Sequence, residues 1–228
     1  MEYNQNVATM ETSSALATNK VLRNTYMLLS VTLIFSAMMA GVSMAIAPPY
    51  FVSLICSLGA LALVWFVLPK TANSSAGLGV VFAITGMLGF GLGPLLNHYL
   101  GMSNGGTIVM QALGTTGAVF VSLSAFVLVT KKDFSFMGGF LAAGMIVAIV
   151  AMLLLLGASL FGYPMPMMGL ALSALVAMLM CGFILYETSN ILNGGETNYL
   201  LATVSLYLSI YNLFVTLLHL IGFASGDD

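Results

Sequence analysis

The sequence predicts an all-α integral membrane protein of seven transmembrane helices, and three observations carry that prediction. Of 228 residues, 60% are hydrophobic and only 5% are charged, against roughly 25% charged in an ordinary soluble domain. The apolar residues gather into seven runs, and seven spans of about 20 residues would use roughly 140 positions, leaving the rest for a tail and short loops. All five basic residues fall in alternate connections, the pattern of a chain that threads a bilayer. Soluble enzymes, nucleic-acid binders and disordered chains are excluded as classes. A net charge of -2 leaves no basic surface for nucleic acid, and the 24 Gly and 17 Met suit closely packed apolar helices.

Residues 1–24 are polar, rich in Asn, Thr, Ser and Ala, and have no sustained apolar period. They are expected to form a flexible cytoplasmic tail ahead of a seven-helix membrane domain at 25–228. A secretory signal is the rival reading, because Lys20 and Arg23 imitate its basic start and Ala45-Ile46-Ala47 its cleavage site. The apolar run Tyr26–Ala47 is too long for a signal core, however, and Pro48 follows the supposed cut. It reads as a retained first helix, closed by Pro48-Pro49. The second run, Phe51–Leu68, is expected to stop at Pro69. The third, Leu78–Leu100, should kink at Gly93-Pro94, where proline removes a backbone donor. Thr107–Val129 and Phe136–Phe161 follow, the latter closed by Gly162 and Pro164. The sixth run is Met167–Tyr186, with a continuation to Ile191 left open, and the seventh is Tyr199–Phe223.

Lys20 and Arg23 precede the first run, Lys70 follows the second, and Lys131 and Lys132 follow the fourth. The loops around Pro48, Asn104 and Tyr163 carry no basic residue. The positive-inside rule then places the N-terminus in the cytoplasm and, after seven crossings, Asp227-Asp228 outside.

Polar residues inside the runs are the candidates for function. Ser205, Ser209, Asn212, Thr216 and His219 follow at intervals of four, three, four and three, so they share one helical face. A polar stripe of that length is costly against lipid. The seventh helix is therefore expected at the centre, enclosed by the other six. The stripe reads either as a set of interhelical hydrogen bonds or as a hydrated path. Glu187, near the end of the sixth run, is an intramembrane acid with no Lys or Arg inside any run to pair with. It reads either as a buried, protonated acid or as a hydrated interfacial one. Thr85, Gly89 and Gly93 allow close backbone approach. Gln111, Thr115 and Ser122 share a face of the fourth helix that could meet the seventh. His98 and His219 are too few for a metal site and read as interfacial residues or a pH-sensitive pair. Cys56 and Cys181, far apart in apolar runs, read as buried thiols.

No catalytic constellation is present in the sequence. The runs hold no Lys for a Schiff base and no Asp for a carboxylate dyad. Ser159 lies in Gly157-Ala158-Ser159-Leu160-Phe161, without the second Gly of a nucleophile elbow. No enzyme activity and no cofactor are expected.

Gly182-Phe183-Ile184-Leu185-Tyr186-Glu187-Thr188, Gly194-Gly195 and Ser205-Leu206-Tyr207-Leu208-Ser209-Ile210-Tyr211-Asn212-Leu213-Phe214, with Gly91-Leu92-Gly93-Pro94-Leu95, resemble the Bax-inhibitor family of membrane proteins over nearly the whole chain. Lys20-Val21-Leu22-Arg23-Asn24-Thr25-Tyr26 and Gly194-Gly195-Glu196-Thr197-Asn198-Tyr199 are similar to a bacterial inner-membrane branch that modulates the ATP-dependent protease FtsH. The resemblance implies an FtsH-type partner that engages the tail and stalls on the membrane body. It also implies an alternative, a pH-sensitive calcium or cation leak, for which Glu187, Ser205, Ser209 and Asn212 are the ion-path or pH-sensing candidates. Glu187 matches the first acid of the family's gating pair. The second position matches Ser209, which does not ionise, and the second run lacks the Arg that some members place nearby.

Overall fold

The computed structural model describes the backbone of residues 2–225 and the side chains of residues 18–225. Asp227 and Asp228 lie outside the described residues, as do the side chains of most of the expected tail. Among the described residues seven helices are long and apolar enough to cross a membrane, and there is no strand. They are α1 (Glu2–Ile46, of which Thr18–Ile46 is the span), α2 (Phe51–Thr71), α3 (Ala76–Leu100), α4 (Gly105–Thr130), α5 (Ser135–Leu160), α6 (Pro166–Leu192) and α7 (Tyr199–Ser225). The sixth run does continue past Tyr186, through Ile191.

The two proline expectations end differently. Pro69 does not stop α2. Proline offers no N–H to the Trp65 carbonyl and crowds it, and the helix absorbs this by widening. Leu63–Val67 form a π turn in which the Leu68 N–H donates to the Leu63 carbonyl. The Thr71 hydroxyl then donates to the Val67 carbonyl at 2.9 Å, and the helix runs on to Thr71. At Pro94 the break is real: α3 is interrupted at Leu92, between Ala76–Gly91 and Gly93–Leu100. Lys131 closes α4 in a left-handed conformation, φ 53°, its N–H donating to the Val127 carbonyl, a place usually given to glycine. Gly162, at φ 84°, ends α5 in the ordinary way.

The chain packs as two compact units. The first takes the chain through Leu95 together with Glu187–Tyr207. Here α3 lies against α1 with almost no side chain between them. A Cβ on Gly89 would fall inside the backbone of Ser36, and one on Gly93 inside Ser43. Phe35 packs edge-on against Phe82, with ring centroids 5.3 Å apart. Met87 of the same helix fills the space above Gly59 on α2. The close-approach reading of Gly89 and Gly93 holds. The second unit takes Leu96–Tyr186 together with the chain from Leu208. Its core joins Leu141, Ala148, Leu179, Met180, Ile184 and Leu213, with Gly144 seated on Leu179 and Gly182 on Leu141.

Burial differs strongly among the spans. Half of the α3 window and 44% of the α7 window are buried, against 11% in α2 and in α5. The exposed residues of α5 are bulky and apolar, among them Ile146, Val147, Val150, Leu153 and Leu154, which is what a lipid-facing surface requires.

Candidate functional site

The region around the α6–α7 connection holds the sharpest candidate. Glu187 stands one turn before the end of α6 and is half-buried, while Thr188 and Ser189 beside it are fully buried. The Tyr26 hydroxyl of α1 lies 3.3 Å from the Thr188 hydroxyl. Asn193 Nδ2 donates to Ser189 Oγ at 3.1 Å, which ties down the last turn. Gly194, at φ 75°, turns the chain out of the helix, a conformation that favours glycine. The N–H groups of Gly195 and Glu196 then both donate to the Asn190 carbonyl, at 2.9 and 3.2 Å.

Asn198 caps the start of α7 and ties two connections together. Its Oδ1 accepts from the Leu200 N–H at 2.9 Å, capping the helix. Its Nδ2 donates to the Ala72 carbonyl at 3.0 Å and to Asn73 Oδ1 at 2.8 Å, holding the α2–α3 connection. Its own N–H donates to Glu196 Oε1 at 2.7 Å. Glu196 is thereby fixed on the connection between α6 and α7. Matching the family's second acid to Ser209 had left no carboxylate beside Glu187. The connection carries one, Glu196, nine residues beyond Glu187 on the Gly194-Gly195-Glu196-Thr197-Asn198-Tyr199 stretch.

Of the four candidates, Glu187 and Ser205 belong to the first unit, Ser209 and Asn212 to the second. Ser205 and Asn212 are half-buried and Ser209 is 5% exposed. Asn212 Nδ2 donates to the Leu208 carbonyl at 2.8 Å, and the Thr216 hydroxyl donates to the Asn212 carbonyl at 2.8 Å. These are bonds that polar side chains make to their own helix. His219 is exposed, its Nδ1 2.8 Å from the Ser173 hydroxyl. His98 is exposed and lies edge-on to Tyr99. Among the described residues no group of three His, Cys, Asp or Glu could hold a metal ion. Cys56 and Cys181 are free but only half-buried, not fully buried as expected.

Two expectations need correction or extension. The polar face of α4 does not reach α7: Gln111, Thr115 and Ser122 are all exposed, because the buried face of that helix is the one carrying Ile108, Ala112, Thr116 and Val127. The polar character of α7 also extends to the face opposite its stripe. Tyr207 is 1% exposed and its hydroxyl lies 2.6 Å from Ser36 Oγ while donating to the Thr85 carbonyl at 3.3 Å. One turn earlier, the Thr203 hydroxyl reaches the carbonyls of Tyr199 (2.7 Å) and Thr25 (3.4 Å). From Leu200 to Ile210 every residue of α7 is buried except Leu201, Ser205 and Leu208, which are half-buried and share one side. Tyr207 passes for an apolar residue when periodicity is read, and its role had no signal beyond the motif it stands in.

Comparison with known proteins places these features. A family profile described as inhibitor of apoptosis-promoting Bax1 matches residues 18–226. An Escherichia coli protein named modulator of FtsH protease YccA is 50% identical, with 94% of this chain and 95% of that protein covered. An uncharacterised membrane protein of Vibrio cholerae is 48% identical, with 93% of each chain covered. An uncharacterised Campylobacter jejuni protein is 38% identical over 67% of this chain and 64% of its own.

Proposed function

Because the chain belongs to the Bax-inhibitor family, we propose that it is a multi-pass regulator of the bacterial inner membrane that binds an FtsH-type ATP-dependent protease and restrains it. The observation that carries this reading is the 50% identity, over 94% of the chain, to the E. coli protein named as an FtsH modulator. The positive-inside rule supports a cytoplasmic N-terminus and a periplasmic C-terminus.

The mechanism follows from the contrast between tail and body. A protease of this kind pulls on a cytoplasmic handle, and residues 1–24 have the polar composition of one. The α1–α3 pair, interlocked at Ser36–Gly89 and Ser43–Gly93, is the part that resists extraction, so the enzyme is occupied without consuming its load. The test is degradation of a membrane substrate by purified FtsH-type protease in proteoliposomes, with the full chain or a version lacking residues 1–18. The full chain is expected to slow degradation, and the deletion to lose most of that effect at unchanged melting temperature. Equal inhibition by both would remove the tail from the mechanism, and none by either would remove the function.

One observation favours a second reading, a calcium or cation leak gated at Glu187. Glu187 is a half-buried acid at one end of a span, with Glu196 fixed on the connection that follows it, and an ionisable residue so placed is where a pH-dependent gate would turn. Calcium flux in proteoliposomes between about pH 5 and 8 separates the two: a leak abolished by Glu187→Gln, with protease activity untouched, would favour the leak.

A further inference from the structure

The fourth span divides its exposed surface into two unlike flanks. One carries Met110, Leu113 and Val121, at 74%, 56% and 62% exposure, and is an ordinary lipid-facing surface. The other carries Gln111, Thr115, Ala118, Ser122 and Ala125, all exposed and all small or polar, before exposed Phe126 and Val129 end the same face. Intervals of four, three, four and three keep these five on one face along the helix. Gly114, at its edge, has open space where a Cβ would be, so nothing in the protomer covers this backbone.

Depth turns this from a surface detail into a problem. The span has 26 residues, about 39 Å at 1.5 Å per residue, centred on about 30 Å of hydrocarbon. Gln111 begins about 9 Å from the helix start and Ser122 about 25 Å from it, so both lie within the hydrocarbon. Two exposed hydroxyls elsewhere in the spans bond to their own helix, Ser30 to Tyr26 and Thr130 to Phe126. Gln111, Thr115 and Ser122 make no side-chain hydrogen bond among the described residues. Three unpaired polar groups in one line, at a depth where lipid offers neither donor nor acceptor, are costly.

We propose that this face is the seat of a second copy of the chain, packed α4 against α4 about a two-fold axis along the membrane normal. Two copies inserted with one topology bring the same helix together in parallel, and a two-fold contact must be self-complementary. This face is. A carboxamide donates and accepts, so each Gln111 satisfies its counterpart at equal depth, and the hydroxyls of Thr115 and Ser122 do the same. The four-three spacing is that of a seam between two helices, and Gly114, Ala118 and Ala125 let the backbones approach. A lipid tail would fill the space but pair nothing.

The test uses the full chain with Cys56→Ala and Cys181→Ala, carrying either Ala118→Cys on the seam or Leu154→Cys on the apolar face of α5, oxidised in membrane vesicles. A disulfide-linked dimer is expected from the first and not from the second. In liposomes, single-molecule photobleaching of the otherwise unaltered chain is expected to show two subunits. Gln111→Leu should weaken the dimer about tenfold, and Ala118→Ile should abolish it, with protomer melting unchanged because neither side chain packs within the protomer. Equal cross-linking at both positions, or a monomer by photobleaching, would overturn the proposal. So would a seam that cross-links only to a different protein while the purified chain stays monomeric.

Discussion

Hydroxyl and amide groups lie at membrane depth in two regions of this molecule and are treated oppositely. In the first unit, Ser36, Tyr207 and Thr85 form one connected set, with Tyr26–Thr188 and Thr203–Thr25 beside it. On the open face of α4, Gln111, Thr115 and Ser122 stand exposed and unpaired among the described residues. The residue types are the same, but the neighbours are not. Where α1, α3 and α7 close on one another, the hydroxyls of Ser36, Tyr207 and Thr203 have a carbonyl or another hydroxyl within reach. Where a helix faces outward, a side chain bonds to its own helix, as Thr130 does, or waits for a partner from another molecule. Ser43 marks the boundary between these cases: it is fully buried, its hydroxyl is unpaired, and it lies against Gly93. Its small size is what that contact uses.

The comparison breaks most severely at the glycines. Gly89→Leu puts a side chain where the Ser36 backbone already stands, and a loss of about 3 kcal/mol or more is expected, read as lost yield and a collapsed melting transition in detergent. Near-native melting would mean that α1 and α3 are not packed this closely. Tyr207→Phe comes next. It strips the hydroxyl from Ser36 and the Thr85 carbonyl, at about 1–3 kcal/mol. Ser36→Ala in the same background should then cost little more, since the two share one bond. Strict additivity would show that the pair is not coupled.

Asn198→Ala removes the α7 cap and both donors to the α2–α3 connection, with an expected loss of about 1–2 kcal/mol. Asn198→Asp, which keeps Oδ1 for the cap but not Nδ2, should fall between. Proteolytic nicking near Asn73 in the alanine variant is the local readout, and its absence would sever the link between the two connections. The smallest effect belongs to the open face. Gln111→Leu in a monomeric detergent preparation should change stability by no more than about 0.5 kcal/mol. A large loss there would reveal an intramolecular partner for Gln111.

Much of this architecture is legible in the chain because it depends on local chemistry in one fixed solvent. Hydrocarbon leaves a backbone no alternative to the helix, so seven apolar runs are enough to state seven spans. Gly93-Pro94 is enough to state a break, and Gly89 a close approach, because each acts through the backbone next to it. Pro69 shows where local reading ends: the same missing donor was met by a π turn and the Thr71 hydroxyl, a choice made by the turn as a whole. The candidate site was legible in part. Glu187 stands out as a lone acid in an apolar run, whereas Glu196 looks like an ordinary loop residue until Gly194 folds the connection back. Pairing was decided only in three dimensions. A helical period says which residues share a face, and on that ground α4 and α7 looked alike. Which face meets protein depends on how distant segments close on each other, and that closure paired Tyr207 within the chain and left Gln111 without a partner there.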